Sequence, residues 1–166
     1  VAPERYGPAV SPHLAAELAG RRHDPAQLLA TARAGGQGHT LVVEGVGGLL
    51  VPLAEDYTVR DLAAEVGLPL VTAAPPGLGT INHTLLTLQA ARAAALDVCA
   101  VVLTPWPARP SKMERSNRDT LARLGEVEVA GLPPLPGPDL AALADAGARL
   151  PWRRWLARER CVPSRA

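Results

Sequence analysis

The sequence predicts an α/β domain of three layers, an open and mainly parallel sheet with helices on both faces. Three observations lead there. Apolar, largely β-branched runs recur at residues 40–43, 68–74 and 98–103, and uninterrupted runs of this length suit strands buried on both faces. Segments of helical length, each with its own start signal, separate them. Glycine-rich turns follow the first two runs, at Glu44-Gly45-Val46-Gly47-Gly48 and at Gly77-Leu78-Gly79-Thr80-Ile81-Asn82, where an open sheet places its ligands.

Taken in order, Ser11-Pro12 is a helix start, a hydroxyl residue followed by a proline whose missing N–H costs nothing in the first turn. Asp24-Pro25 repeats the device, and its helix runs toward Arg33 until Gly35-Gly36 stops it. The run 40–43 is the first strand. Thr58 caps a short helix through Val66, with Leu62 and Val66 on one face. The run 68–74 is the second strand, and residues 81–96 form a long helix carrying Ile81, Leu85 and Leu88 at core spacing. Residues 98–103 make the third strand, and a proline-rich loop, 105–110, follows. Ser111 and Glu114 have the spacing of a capping box for a helix reaching Leu124. Residues 127–132 are a short fourth strand, and Asp139 caps a last helix through Ala146.

At 166 residues the default is one domain, expected over residues 1–148, with an Arg-rich tail over 149–166. That tail holds Arg153, Arg154, Arg158, Arg160 and Arg165 and reads as solvated charge, with Trp152 and Trp155 packing a final turn onto the body. Hydrophobic residues are 48% of the chain but aromatics only 3%, with no Phe, so the core must be built of Leu, Val and Ala. Seventeen basic against 16 acidic residues leave +1, which argues against a general nucleic-acid or membrane surface. Cys99 and Cys161 have no metal-ligand spacing, and His13, His23 and His39 share none with carboxylates, so no zinc site is expected. Without a leader-like or long apolar stretch, the expected location is cytoplasmic.

Glu44 is the one charge beside the end of the first run. A carboxylate there can hold a hydrated Mg²⁺, and Gly45, Gly47 and Gly48 leave room for phosphate oxygens to approach the backbone. A solvated acid in an ordinary glycine turn is the competing account. The second turn has the form G-x-G-x-x-N, which departs from a dinucleotide fingerprint: Asn82 replaces the last glycine, and Asp97 precedes the next strand instead of ending it. What remains is an uncharged helix start whose free N–H groups, near Gly79, Thr80 and Asn82, can receive a carboxylate or phosphate. Thr80 and Asn82 acting only as caps is the alternative, and His83 reads as a surface residue. Lys112 is the only lysine, so no G-x-x-x-x-G-K-[ST] phosphate loop is present.

Ser11-Pro12-His13, residues 42–53 (VVEGVGGLLVPL), residues 77–88 (GLGTINHTLLTL), the strand end at 101–107 and Ser116-Asn117-Arg118 together resemble the ATP-dependent dethiobiotin synthetases, a P-loop NTPase-like family. The resemblance spans about residues 11–140. It implies a homodimeric cyclo-ligase that uses ATP and Mg²⁺ to close a urea ring on 7,8-diaminononanoate with CO₂. It assigns Glu44 to Mg²⁺ and places Gly45, Val46 and Gly47 along the nucleotide. Thr104 and Pro105 fall where the family contacts adenine, with Thr104 in place of the usual Asn, and Pro133, Pro134 and Leu135 match a second adenine-side segment. Gly79, Thr80 and Asn82 match the helix start that receives the substrate carboxylate across the dimer interface.

The family's P-loop, its carbamate-stabilising lysine and a second metal-binding Asp have no counterpart here, so no catalytic residue is assigned. The chain is expected to be the C-terminal two-thirds of such an enzyme, inactive by itself because phosphoryl transfer depends on that loop. Two other expectations stand beside this one: a cobyric-acid-synthase-type ligase domain, and a non-catalytic remnant that dimerises or binds a small anion.

Overall fold

A computed structural model describes residues 4–157, apart from Pro8, Gln37, His39, Pro136 and Pro138. Arg158, Arg160, Cys161 and Arg165, named above, lie outside the described residues, as does His39. The chain divides into two compact units, Val1–Leu68 and Pro69–Ala166.

The first unit contains helices α1 (Pro12–Leu18) and α2 (Pro25–Ala34), a hairpin of β1 (Pro52–Ala54) and β2 (Tyr57–Thr58), and helix α3 (Val59–Val66). Ser11 opens α1 through its backbone carbonyl, which accepts from Ala15 at 2.9 Å, while its hydroxyl makes no capping bond. Asp24 caps α2 as expected, accepting from the Ala26 amide. Thr58 and Asp61 form a full capping box on α3, and Gly67 ends that helix in the left-handed region at φ +68°, where a side chain would be strained. Buried Ala15 and Ala16 bring α1 close to β1, and α2 lies against α3, where the Arg33 guanidinium reaches the Glu65 carbonyl at 3.0 Å.

One expectation fails in this unit. Residues 40–43 form no strand; Val42 is 82% exposed and Val43 41% exposed. The run has the composition of a buried strand, but burial of such a run requires hydrogen-bonded neighbours on the backbone, and it joins no ladder among the described residues.

The second unit is a βαβαβ array: β3 (Leu70–Ala74), α4 (Thr80–Ala93), β4 (Val98–Leu103), α5 (Lys112–Gly125) and β5 (Glu128–Gly131), followed by α6 (Leu140–Ala148) and α7 (Trp152–Leu156). The three strands are parallel in the order β3-β4-β5. This is the α/β class that the alternation of strand and helix signals predicts.

Helices α4 and α5 pack on each other and on one face of the sheet, around Ala74, Leu88, Val101, Leu103 and Leu121. On a second cluster, Trp155 packs against Cys99, Ala100 and Val102. Cys99 is the extra residue of a β-bulge, since the register steps from Leu70↔Val98 to Val71↔Ala100. Of the two tryptophans expected to pack the final turn, only Trp155 is buried, while Trp152 is 39% exposed because the short helix turns it away from the sheet cluster. The Trp155 indole N–H donates to the Glu128 carboxylate at 3.2 Å, with Arg154 on the same oxygen.

Strand β3 differs from expectation in its burial. Instead of being covered on both faces, its residues alternate, with Val71 and Ala73 exposed. Among the described residues it pairs with β4 alone, whereas β4, flanked on both sides, is buried from Cys99 to Leu103.

Candidate functional site

The parallel register brings three loops to the same edge of the second unit's sheet. β3 feeds the turn through Gly77 and Gly79, β4 feeds Thr104-Pro105-Trp106, and β5 feeds Leu132-Pro133-Pro134-Leu135. Hydrogen bonds carry the ladder past the strand ends: Thr104 N–H donates to Ala74 and Leu132 N–H to Leu103, both at 2.9 Å. The carboxyl edge of a parallel sheet is where chain direction reverses into helices and ligands meet free amides.

The turn before α4 is held from below. Asn117, 8% exposed on α5, donates its side-chain amide to the carbonyls of Pro76 at 2.9 Å and Gly77 at 3.1 Å. Gly79, the N-cap of α4, sits at φ +90°, which only glycine adopts without strain. The Thr80 amide closes the turn onto the Gly77 carbonyl at 3.3 Å, and the His83 amide bonds Gly79 at 3.2 Å. The amides of Ile81 and Asn82 have no backbone acceptor among the described residues. No side chain caps the helix, so Thr80 and Asn82 are not the caps that the competing account requires. An uncharged helix start with two free N–H groups attracts an anion through those amides and the helix dipole.

Behind this turn a groove of about 110 Å³ is lined by Thr72, Ala74, Thr80, His83, Thr84 and Thr87, among others. Thr80 and Thr84 are both 2% exposed, and their hydroxyls face each other at 3.4 Å. The Thr72 hydroxyl is buried without a partner. His83 is exposed and lies above Gly79.

Thr104 is half-buried and Pro105 exposed, joined by a cis peptide. Pro133 and Leu135 are half-buried and Pro134 is exposed. The two segments are tied together by the Trp106 amide, which donates to the Leu132 carbonyl at 2.7 Å.

In the first unit, Glu44 is exposed on chain without regular secondary structure, and Val46-Gly47-Gly48 bend after it. The glycines differ in what they do. A Cβ on Gly45 would meet Val59 at 2.6 Å, so its smallness serves packing against α3. Gly47 has φ +73°, which a turn requires, and only Gly48 faces open space. The first amides of α3 are occupied by this same loop: Val59 donates to Val51 at 3.0 Å and Arg60 to Leu49 at 2.8 Å. That helix start therefore has little left for an anion, and the carboxylate of Glu44 is the group the loop presents. No cluster of three or more His, Cys, Asp or Glu that could hold a metal occurs among the described residues. One carboxylate suits Mg²⁺ only where phosphate oxygens and water complete the octahedron, which is how Mg²⁺ usually binds.

Asn117 is the residue whose part the sequence reading missed. It had appeared there only within a resemblance, though its spacing was informative: Asn117, Leu121 and Gly125 recur every four residues on one helix face, and all three are buried.

A family model described as an AAA domain matches residues 1–139. The chain is 43% identical over 129 residues to a protein of Mycobacterium sp. (strain KMS), covering 76% of this chain and 56% of that one, and 41% identical over 159 residues to one of Mycobacterium marinum, covering 92% and 69%. A protein of Rhodococcus jostii is 41% identical over 157 residues, with 92% of this chain and 68% of the relative aligned. All three bear the name ATP-dependent dethiobiotin synthetase BioD. The chain thus spans between about half and two-thirds of the length of these relatives. Among the described residues no helix is long and apolar enough to cross a membrane.

Proposed function

Because this chain belongs to the family of ATP-dependent dethiobiotin synthetases, we propose that it is part of a cyclo-ligase that builds the ureido ring of dethiobiotin from 7,8-diaminononanoate and CO₂. In that reaction one amine adds to CO₂ and loses a proton, giving a carbamate. The carbamate oxygen attacks the γ-phosphorus of ATP and ADP leaves. The second amine then attacks the carbonyl carbon, the ring closes, and inorganic phosphate departs.

The observation that carries the reading is the start of α4. Ile81 and Asn82 offer two unengaged amides on a turn that Gly79 permits and Asn117 holds rigid. A monocarboxylate with an alkyl chain and two amines fits such a site at its carboxylate end, because backbone N–H groups neutralise the anion without a cationic side chain that would repel the amines. Gly79, Thr80 and Asn82 form this substrate-binding turn, and a second copy of the chain would present it in a homodimer.

Thr104 and Pro105, with Pro133, Pro134 and Leu135, take the adenine between apolar proline surfaces, and the Thr104 hydroxyl donates and accepts through a single oxygen where an amide would present a donor and an acceptor on separate atoms. In the first unit, Glu44 would hold Mg²⁺ through its carboxylate, and Gly45, Val46 and Gly47 would follow the nucleotide. When bound, Mg²⁺ would neutralise charge on the triphosphate. The sequence has a single lysine, Lys112, and no G-x-x-x-x-G-K-[ST] loop, so none of these 166 residues is assigned the lysine-bearing phosphate cradle on which phosphoryl transfer depends.

The test is an assay of the protein as its gene encodes it, with diaminononanoate, bicarbonate and Mg-ATP. ADP release that depends on the diamine is the expected result. ATP turnover indifferent to the diamine would point to a cobyric-acid-synthase-type ligase, and no turnover with retained dimerisation would point to a non-catalytic protein. Either outcome overturns the reading.

A further inference from the structure

Besides the main-chain bond from Trp106 to Leu132, the two segments assigned above to the base meet through a side chain. A Cβ built on Gly131, the last residue of β5, would lie 2.6 Å from Cγ of Trp106, 2.8 Å from its Cδ1 and 3.0 Å from its Cβ. The indole therefore occupies the space that any side chain at residue 131 would need. From α5, the Arg118 guanidinium lies over the same ring, 5.6 Å from its centroid, within range of a cation–π contact. The Trp106 main chain makes the bond to Leu132 described above, one residue before Pro133. Trp106 is half-buried and packs against the core cluster that contains Leu103 and Leu121.

We propose that Trp106 is the positioning residue for base recognition: its ring on Gly131 sets the distance and register between Thr104-Pro105 and Pro133-Pro134-Leu135, and base selectivity depends on that spacing. The inference rests on the reading that these segments hold the adenine. The physical argument is one of rigidity. Proline surfaces and one hydroxyl offer few directional contacts, so discrimination between bases must come from the width and shape of the slot. The single main-chain bond from Trp106 to Leu132 ties the two loops at one point and leaves the residues beyond it free to splay, and an indole seated on a glycine adds an incompressible span between them.

The experiment measures equilibrium binding of ATP, GTP and inorganic tripolyphosphate to the protein as its gene encodes it, by calorimetry. Trp106→Leu is expected to weaken ATP by about tenfold, equivalent to about 1.4 kcal/mol, with tripolyphosphate changed by less than about twofold. The preference for ATP over GTP should fall in step. Trp106→Phe, which keeps a ring over Gly131, is expected to retain most of the preference. Gly131→Ala, which displaces the ring without touching Trp106, should reproduce the loss and carries the test if Trp106→Leu does not fold. Equal losses for ATP and tripolyphosphate, or an unchanged ATP/GTP ratio in Gly131→Ala, would overturn the inference and leave the proposed function standing. Failure of the unsubstituted protein to bind ATP at all would overturn both.

Discussion

The side-chain amide of Asn117 lies 2.9 Å from the carbonyl oxygen of Pro76, and the same nitrogen reaches Gly77 at 3.1 Å. One helix thus holds the entrance of another, and the turn it holds is the one whose amides are free. Asn117→Ala would leave two carbonyls without their donor, one of them on buried Pro76, at a cost of about 1–3 kcal/mol in unfolding free energy. Asn117→Asp should cost more, since its oxygens would face both carbonyl oxygens. Urea denaturation checks the stability, and a KM for the diamine that rises well beyond any change in the KM for ATP checks the role of the turn.

Glu44 predicts the opposite pattern. It is exposed, and no hydrogen bond or ion pair engages it among the described residues. Glu44→Ala should therefore move unfolding free energy by no more than about 0.5 kcal/mol. In the protein as its gene encodes it, turnover should fall and the Mg²⁺ concentration for half-maximal rate should rise. Unchanged magnesium dependence would return Glu44 to an ordinary solvated acid.

Tyr57 gives a pH prediction. Burial of its phenol, reinforced by the Glu65 carboxylate, pushes its pKa up to about 12. An unfolded chain releases that proton near pH 10. The stabilisation is therefore complete below about pH 10 and is lost as pH rises through about 12. Thermal melts between those limits should show a steeper loss of Tm for the unsubstituted chain than for Tyr57→Phe. Equal slopes would show that the phenol titrates alike in the folded and unfolded states.

The core prediction concerns Leu88, 1% exposed between α4 and the sheet and the nearest neighbour of Gly125, whose absent Cβ would lie 2.8 Å from it. Leu88→Ala should destabilise by about 2–5 kcal/mol, the cost of lost transfer energy plus a cavity that close-packed neighbours cannot fill. Gly125→Ala should be destabilising as well, through overpacking against the same side chain. Chemical denaturation of the two variants checks both signs.

Local chemistry determined much of this protein. The capping box at Ser111 and the caps at Asp24, Thr58 and Asp139 were readable because a cap needs only a side chain and amides two or three residues away. The alternation of apolar runs with helices was enough to predict parallel strands, and β4 followed its run to the residue. The turn at Gly77 and Gly79 announced a helix start open to anions for the same reason, since its glycines and uncharged residues act within one turn of chain.

What the sequence could not decide were relations between segments distant along the chain. Residues 40–43 have the composition of a buried strand, yet a strand exists only where a neighbour supplies its hydrogen bonds, and composition does not name that neighbour. Whether Gly45 leaves room for phosphate or for Val59, whether Asn117 faces solvent or the Pro76 carbonyl, and whether Gly131 is a strand end or the seat of an indole all depended on tertiary packing. Each is a contact across 14 to 41 residues of sequence, fixed by how helices seat on the sheet and not by the residues on either side.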